Sequence, residues 1–315
     1  MKKSITDTTV NGAKDGVMTR QNCSLVNPSV IANDGYRQTI IDYYSEVGID
    51  YEPWSANLNM HFGYFRWGIN PLDRESLLNE MNAQVCARLQ LDPDIDSRVV
   101  DLGCGVGATS RYCAMHYKRT SVLGVTIVPW QVERAHEMTE EVLRERVDYV
   151  LNDYCDTGYA PNSFDGAYAM ESSCYDKGLN KLGFLKEAFR LLKPGAKLVV
   201  TDGFRKTDKA YPLFEKAYQQ VCEGWSLDTF ANIHQFASTL QELGFKNITI
   251  EDISWRLAPS VMHVPWVSMK YLLTRILLAK GDKVFQKRHF MAPMMGLFVG
   301  LHRKHYGYYI VTAEK

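Results

Sequence analysis

The stretch Val99-Val100-Asp101-Leu102-Gly103-Cys104-Gly105-Val106-Gly107 runs an apolar segment into three alternating glycines. The apolar part reads as a buried strand, and residues 107–117 read as the helix that follows. Between them the glycines allow a sharp turn whose backbone can approach a ligand with no β-carbon in the way. A dinucleotide turn has the spacing G-x-G-x-x-G, whereas here it is G-x-G-x-G with Asp101 two residues before the first glycine. The spacing disfavours a nicotinamide dehydrogenase and leaves another nucleoside ligand at the carboxyl edge of a sheet.

Outward from this turn, short apolar runs alternate with helical segments. Strands are expected at 98–102, 121–126, 147–151, 164–170 and 196–201, with helices near 107–117, 130–145 and 180–192. Such alternation specifies a parallel sheet covered on both faces. A helix over 228–243, a strand over 247–253 and a last strand from Tyr306 complete the pattern. Upstream, Asn70 reads as a helix cap with Pro71 at the first helical position, and Leu77, Leu78, Met81, Val85 and Leu89 repeat at helical spacing. The segment between the last two strands holds Pro259, Pro265, Pro293 and an apolar helix over 266–278, and is too long and too apolar for a loop, so it folds as a helical cap. The expected organisation is a flexible polar arm (1–27), an N-terminal helical region over the active site (28–92), a nucleoside-binding core (93–255), the cap (256–303) and the final core strand (304–315).

Composition narrows the function. Lysine plus arginine and aspartate plus glutamate both number 36, so no global field gathers a polyanion, and nucleic acid is not an expected partner. No apolar stretch follows the short positive start and none reaches membrane-spanning length, so the expectation is a soluble, cytoplasmic protein. Cysteines 23, 86, 104, 113, 155, 174 and 222 are odd in number and contain no C-x-x-C pair, against both a disulfide framework and a zinc site, and no metal is expected.

The glycine turn with its acid resembles the first motif of class I S-adenosylmethionine-dependent methyltransferases. Four further segments carry the resemblance. Gly124-Val125-Thr126-Ile127-Val128-Pro129-Trp130-Gln131 places Thr126 where most of that class has an acid, as in its sterol, tocopherol and cyclopropane-forming branch. Leu151-Asn152-Asp153-Tyr154 ends a strand in an acid, Ala169-Met170-Glu171-Ser172 ends another, and Leu192-Lys193-Pro194-Gly195-Ala196 matches the branch's helix-turn-strand element with Ala196 for the usual second glycine. The resemblance implies a Rossmann-like, doubly wound, mostly parallel seven-stranded α/β sheet with N-terminal helices and an inserted helical cap. It implies S-adenosylmethionine as cofactor, bound by Asp101, Gly103, Gly105, Gly107, Thr126, Gln131, Asp153, Tyr154 and Glu171, with Asp153 taking the adenine amino group. Simpler roles compete: Thr126 as a helix cap and the Asn152-Asp153 pair as a plain turn.

The acceptor side is read from Asn59-Met60-His61-Phe62-Gly63-Tyr64, which resembles the branch's H-[FYW]-G-[YF] segment, with Tyr43, Tyr44, Tyr51 and Trp54 before it. Transfer to an alkene carbon forms a carbocation, which aromatic faces stabilise and a base then deprotonates. Tyr64, Trp67, Tyr175 and Trp225 are the candidate aromatic faces, and Glu171 or His61 the candidate base. The catalytic set is thus Glu171, His61, Tyr64 and Tyr175, and the expected acceptor is small and lipophilic, methylated at carbon: an isoprenoid, a prenyl diphosphate or a sterol-like natural product. N- or O-methylation of an amine or phenol, and nucleoside binding without turnover, stay open, as does a homo-oligomer. The basic residues Lys287, Arg288, His289, His302, Arg303, Lys304 and His305 read as a diphosphate site or, preferably, a solvated face.

Overall fold

The computed structural model describes residues 35–271 and 283–315. The arm over 1–27, Cys23 and the end of the helix expected over 266–278 lie outside those residues. Strands β1 (Ser97–Leu102), β2 (Thr120–Thr126), β3 (Val147–Leu151), β4 (Phe164–Met170) and β5 (Leu192–Arg205) pair in parallel in the order β3-β2-β1-β4-β5. A two-residue strand, β6 (Ala231–Asn232), pairs with the end of β5. The antiparallel pair β7 (Lys246–Asp252) and β8 (Tyr306–Glu314) closes the sheet, with β8 against β5.

Alternation along each strand sorts the core into two layers, because successive side chains point to opposite faces. On one face Val100, Ala167 and Leu198 pack with Phe184, Leu185 and Ala188 of α5 (Leu182–Leu191) and Phe236 and Leu240 of α7 (Ile233–Leu243). On the other, Val99, Tyr168 and Val199 pack with Met81 and Val85 of α2 (Arg74–Arg88), while Val122 and Tyr149 meet α3 (Ala108–His116) and α4 (Pro129–Met138).

The start of α2 departs from expectation. Asp73, not Asn70, is the cap: its side chain accepts from Ser76 N at 3.2 Å and from Ser76 Oγ at 2.6 Å, and Pro71 stays in the turn before it. A carboxylate already aimed at exposed backbone N–H groups, with favourable charge at a helix N-terminus, wins over the amide three residues earlier. The remaining helices cover the sheet's carboxyl edge: α1 (Gly35–Val47), α6 (Pro212–Gly224), α8 (Ser254–Val261), α9 (Val264–Tyr271) and α10 (Lys283–Leu301).

Candidate active site

Two connected spaces lie at that edge. The smaller, about 120 Å³, is lined by Asp101, Gly103, Gly105, Thr126, Gln131, Asp153, Tyr154 and Glu171, so the carboxyl ends of β1 to β4 converge as their sequence motifs imply. Gly103 has φ +91°, and a β-carbon there would fall 2.3 Å from that of Ser172, so the turn closes only with glycine. Gly107 does not reach the space. Its φ is +75° and an added β-carbon would sit 2.2 Å from the Tyr149 ring, so its role is packing under the turn.

Each polar group in this cleft is held. Asp101 Oδ2 accepts from Ser110 Oγ at 2.6 Å and Tyr168 OH at 3.0 Å, and burial pushes its carboxyl up to about 7 against the pull of those hydroxyls. Thr126 Oγ1 accepts from Val128 N at 3.2 Å in the turn before α4 and donates to Gln131 Oε1 at 2.6 Å, so it orients the glutamine, while Val128 and not Thr126 is the N-cap residue of α4. Asp153 Oδ1 takes Cys155 N at 2.8 Å. Its buried Oδ2 meets the Arg37 guanidinium of α1 in an ion pair without a well-directed hydrogen bond. Tyr154 OH donates to Ser172 O at 2.8 Å.

The larger space, about 570 Å³, lies among β5, β8 and helices α8 to α10 and is lined chiefly by aromatic and aliphatic side chains, including Trp54, Phe62, Phe204, Trp225 and Phe230. Tyr44, Met60, His61, Glu171 and Tyr175 border both spaces. Glu171 follows β4 in the left-handed region, φ +49°, a conformation that non-glycine residues hold mainly under local constraint. Its Oε1 accepts from Phe62 N at 2.7 Å and from Tyr308 OH at 2.6 Å. Burial drives the carboxyl up to about 8, and these two donors pull it partway back. Tyr175 OH and Tyr44 OH are 2.9 Å apart across the boundary.

Three expectations on the aromatic side are corrected. Tyr64 is in neither space: it is 6% exposed and packed with Met81, Val85 and Leu257 in the core under α8. Trp67 stands 85% exposed on the surface. His61 borders the cavity, but its nitrogens are spent inward: Nδ1 lies 2.9 Å from Phe62 O, and Nε2 lies 3.1 Å from both Asn59 Oδ1 and Asn82 Oδ1. Burial lowers its ring to about 4, so it is neutral and points no nitrogen at the cavity. Tyr175 and Trp225 do line it. Of the basic residues, Arg303 grips both oxygens of Asp252 at 2.6 and 2.7 Å, and His305 Nδ1 lies 2.6 Å from Thr207 Oγ1. The side chains of Lys287, Arg288 and His289 fall outside the described set.

Sequence reading missed Tyr308 and Asp202. Asp202 lines the cavity, accepts from Ser173 Oγ at 2.7 Å and Cys174 N at 3.0 Å, and is raised by burial. An acid near the carboxyl end of the apolar run in β5 was its available signal, the one that had marked Asp101. Tyr308 is one of three tyrosines in the β8 run, and nothing in that run marks it as the partner of Glu171.

A methyltransferase domain model matches residues 100–200. Over 235 residues the chain is 30% identical to 2-methyl-6-phytyl-1,4-hydroquinone methyltransferase of Synechocystis sp., covering 71% of this chain and 70% of that one. The chain is a class I S-adenosylmethionine-dependent methyltransferase. It is also 27% identical to 24-methylenesterol C-methyltransferase 2 of Arabidopsis thaliana over 68% of this chain, spanning 58% of that relative's length. In fold the methyltransferase resembles the cyclopropane synthase MmaA2 from Mycobacterium tuberculosis, with a TM-score of 0.75 at 14% identity over 90% of this chain and 99% of that one. Its cofactor is S-adenosylmethionine. The cleft fits that group: a glycine turn without β-carbons, a Thr126–Gln131 pair at the second strand, and a buried Asp153 oxygen short of a hydrogen-bond donor. Among the described residues no cluster of three histidine, cysteine or acidic side chains could hold a metal ion, and the described cysteines are all unpaired thiols.

Proposed function

We propose that this methyltransferase methylates a small, uncharged, lipophilic acceptor at carbon, with Glu171 as the base. The observation that carries the reading is Glu171, a carboxyl at the boundary of the cofactor cleft and a large apolar cavity, hydrogen-bonded by Tyr308. Bound S-adenosylmethionine supplies an electrophilic methyl group. The protein's own part is to hold the acceptor carbon in line with that group and to exclude water from a cavity walled by Trp54, Phe62 and Phe204.

An alkene carbon that gains the methyl group leaves a carbocation on its neighbour. Tyr175 and Trp225 line the cavity where ring faces stabilise such a charge. A carbon–hydrogen bond beside the cation then breaks, its electrons form the new alkene and its proton passes to Glu171. Tyr308 holds the carboxylate in place, while His61, its nitrogens engaged with Asn59, Asn82 and Phe62, is a positioning residue that braces the segment bearing Phe62. That Arg303 is committed to Asp252 supports a neutral acceptor over a prenyl diphosphate. The two curated relatives, named for a phytylhydroquinone and a methylenesterol, support a lipophilic acceptor.

The test is incubation with labelled S-adenosylmethionine and a panel of side-chain-unsaturated sterols, prenylated hydroquinones, geranyl diphosphate and small amines. Products carrying one new carbon-bound methyl, lost in Glu171→Gln, support the reading. Methylation only at oxygen or nitrogen, undiminished in that variant, overturns it.

A further inference from the structure

Large apolar side chains left in solvent call for a reason when they cluster. Here they surround the mouth of the acceptor cavity. Trp255, Met262 and Leu301 each form part of the cavity wall yet are 78%, 76% and 79% exposed, so the cavity opens between them. Trp255 in α8 and Met262 at its C-cap, seven residues apart, share one side of the helix, whose other side buries Leu257 and Ser260. Trp266 and Met269 repeat this on α9, which buries Val264 and Ser268. The chain before α2 widens the patch. Phe65 N donates to Arg256 O at 2.8 Å and His263 Nε2 lies 3.0 Å from Pro71 O, which sets the exposed Trp67 and Leu72 beside the two helices.

Charge identifies what covers this patch. The chain has no net charge, but residues 252–304 contain nine arginines and lysines against two acids, Asp282 and the Asp252 that pairs with Arg303. Arg256, Lys270 and Lys304 are exposed in the described part of that segment. Tryptophans with basic neighbours suit the headgroup level of a bilayer, where indole rings settle and anionic lipids attract cations.

We propose that α8, α9 and the 65–72 loop dock the protein on an anionic lipid surface with the cavity mouth against the membrane, so that a lipophilic acceptor enters without crossing water. No helix among the described residues is long and apolar enough to cross a membrane, and the docking proposed is of a surface, not of a span. It goes beyond the methyl-transfer reading and is measured without turnover, so either can fail alone.

The experiment is sedimentation of the full chain with vesicles of phosphatidylcholine alone and of phosphatidylcholine with about one-third phosphatidylglycerol, following tryptophan emission. Expected are binding to the anionic vesicles with a blue shift, weakening in high salt, and a loss of about tenfold or more in Trp255→Ser/Trp266→Ser. Unchanged S-adenosylhomocysteine affinity in the variant verifies its fold. No binding to either vesicle, equal binding to both, or binding indifferent to the double substitution overturns the proposal. So does a concentration-dependent dimer that the substitution abolishes, which would assign the patch to a second copy of the chain.

Discussion

Glu171 joins burial, a left-handed backbone and a tyrosine partner in one residue. As a base it works ionised, so acceptor turnover rises with pH and levels off above about 8. Glu171→Gln is expected to lower kcat by about 10²- to 10⁴-fold while cofactor affinity, measured by calorimetry, stays unchanged. Tyr308→Phe removes a donor that lowers the Glu171 value, and its signature is a pH–rate limb displaced upward together with a smaller loss in kcat. In the cleft, Asp153→Ala deletes a buried carboxylate that pairs with Arg37 at the cleft wall, and is expected to weaken S-adenosylmethionine binding about tenfold. These roles were unequally legible. Asp101, Thr126 and Asp153 lie at or just beyond strand ends and Gln131 in the first turn of α4, within segments that the resemblance to the family's motifs marks. Tyr308 meets Glu171 across 137 positions of chain, a pairing that only the assembled sheet creates.

Between strand and helix, small groups decide whether an element can stand where it does. Gly107→Ala puts a β-carbon into the Tyr149 ring at a positive φ, and should cost roughly 2 kcal/mol or more in urea unfolding. Asp73→Ala removes the α2 cap and should lower the midpoint of urea unfolding by less than Gly107→Ala does. Lys181, at the entry to α5, is fully buried and its Nζ donates to the carbonyls of Cys174, Asp176 and Thr229 at 3.0, 2.6 and 2.7 Å. Lys181→Met strands all three acceptors and is expected to cost roughly 3 kcal/mol, with a raised acceptor KM because the 173–175 turn bearing Tyr175 loses its anchor. The strands were legible because short, nearly continuous apolar runs alternate with helical segments, the pattern of a parallel sheet buried on both faces. The aromatic segment was not: in His61-Phe62-Gly63-Tyr64 the pattern shows four bulky or special residues, but which ring meets the cavity depends on Leu77 O fixing Tyr64 N at 2.9 Å and turning that ring inward.

The whole molecule keeps carboxyl groups under its cofactor and acceptor spaces, and their titration is written into its stability. Asp101 and Glu171 rise to about 7 and about 8 from 3.8 and 4.5, so folding favours their protonated forms. Their contribution is full below the unfolded values and is lost as pH rises through the folded ones. His61, lowered to about 4 from 6.5, acts oppositely and only below 6.5. The cofactor-free protein should therefore show a thermal midpoint that falls as pH is raised from 6.5 to 8, a slope that Glu171→Gln flattens. The cap was legible as a helical insertion from its length and apolar content, but that its tryptophans face outward was not, since periodicity marks a face without saying which way it points. The cap also leaves and re-enters the sheet at one place, because Asp252 of β7 is the register partner of Tyr309 of β8. Its two ends are neighbours, so another cap of different length can be spliced between the same two strands while their pairing and the methyl-delivering edge stay as they are. A chimera carrying a foreign cap should therefore keep its cofactor affinity and change its choice of acceptor only through the part of the cavity wall that the cap supplies.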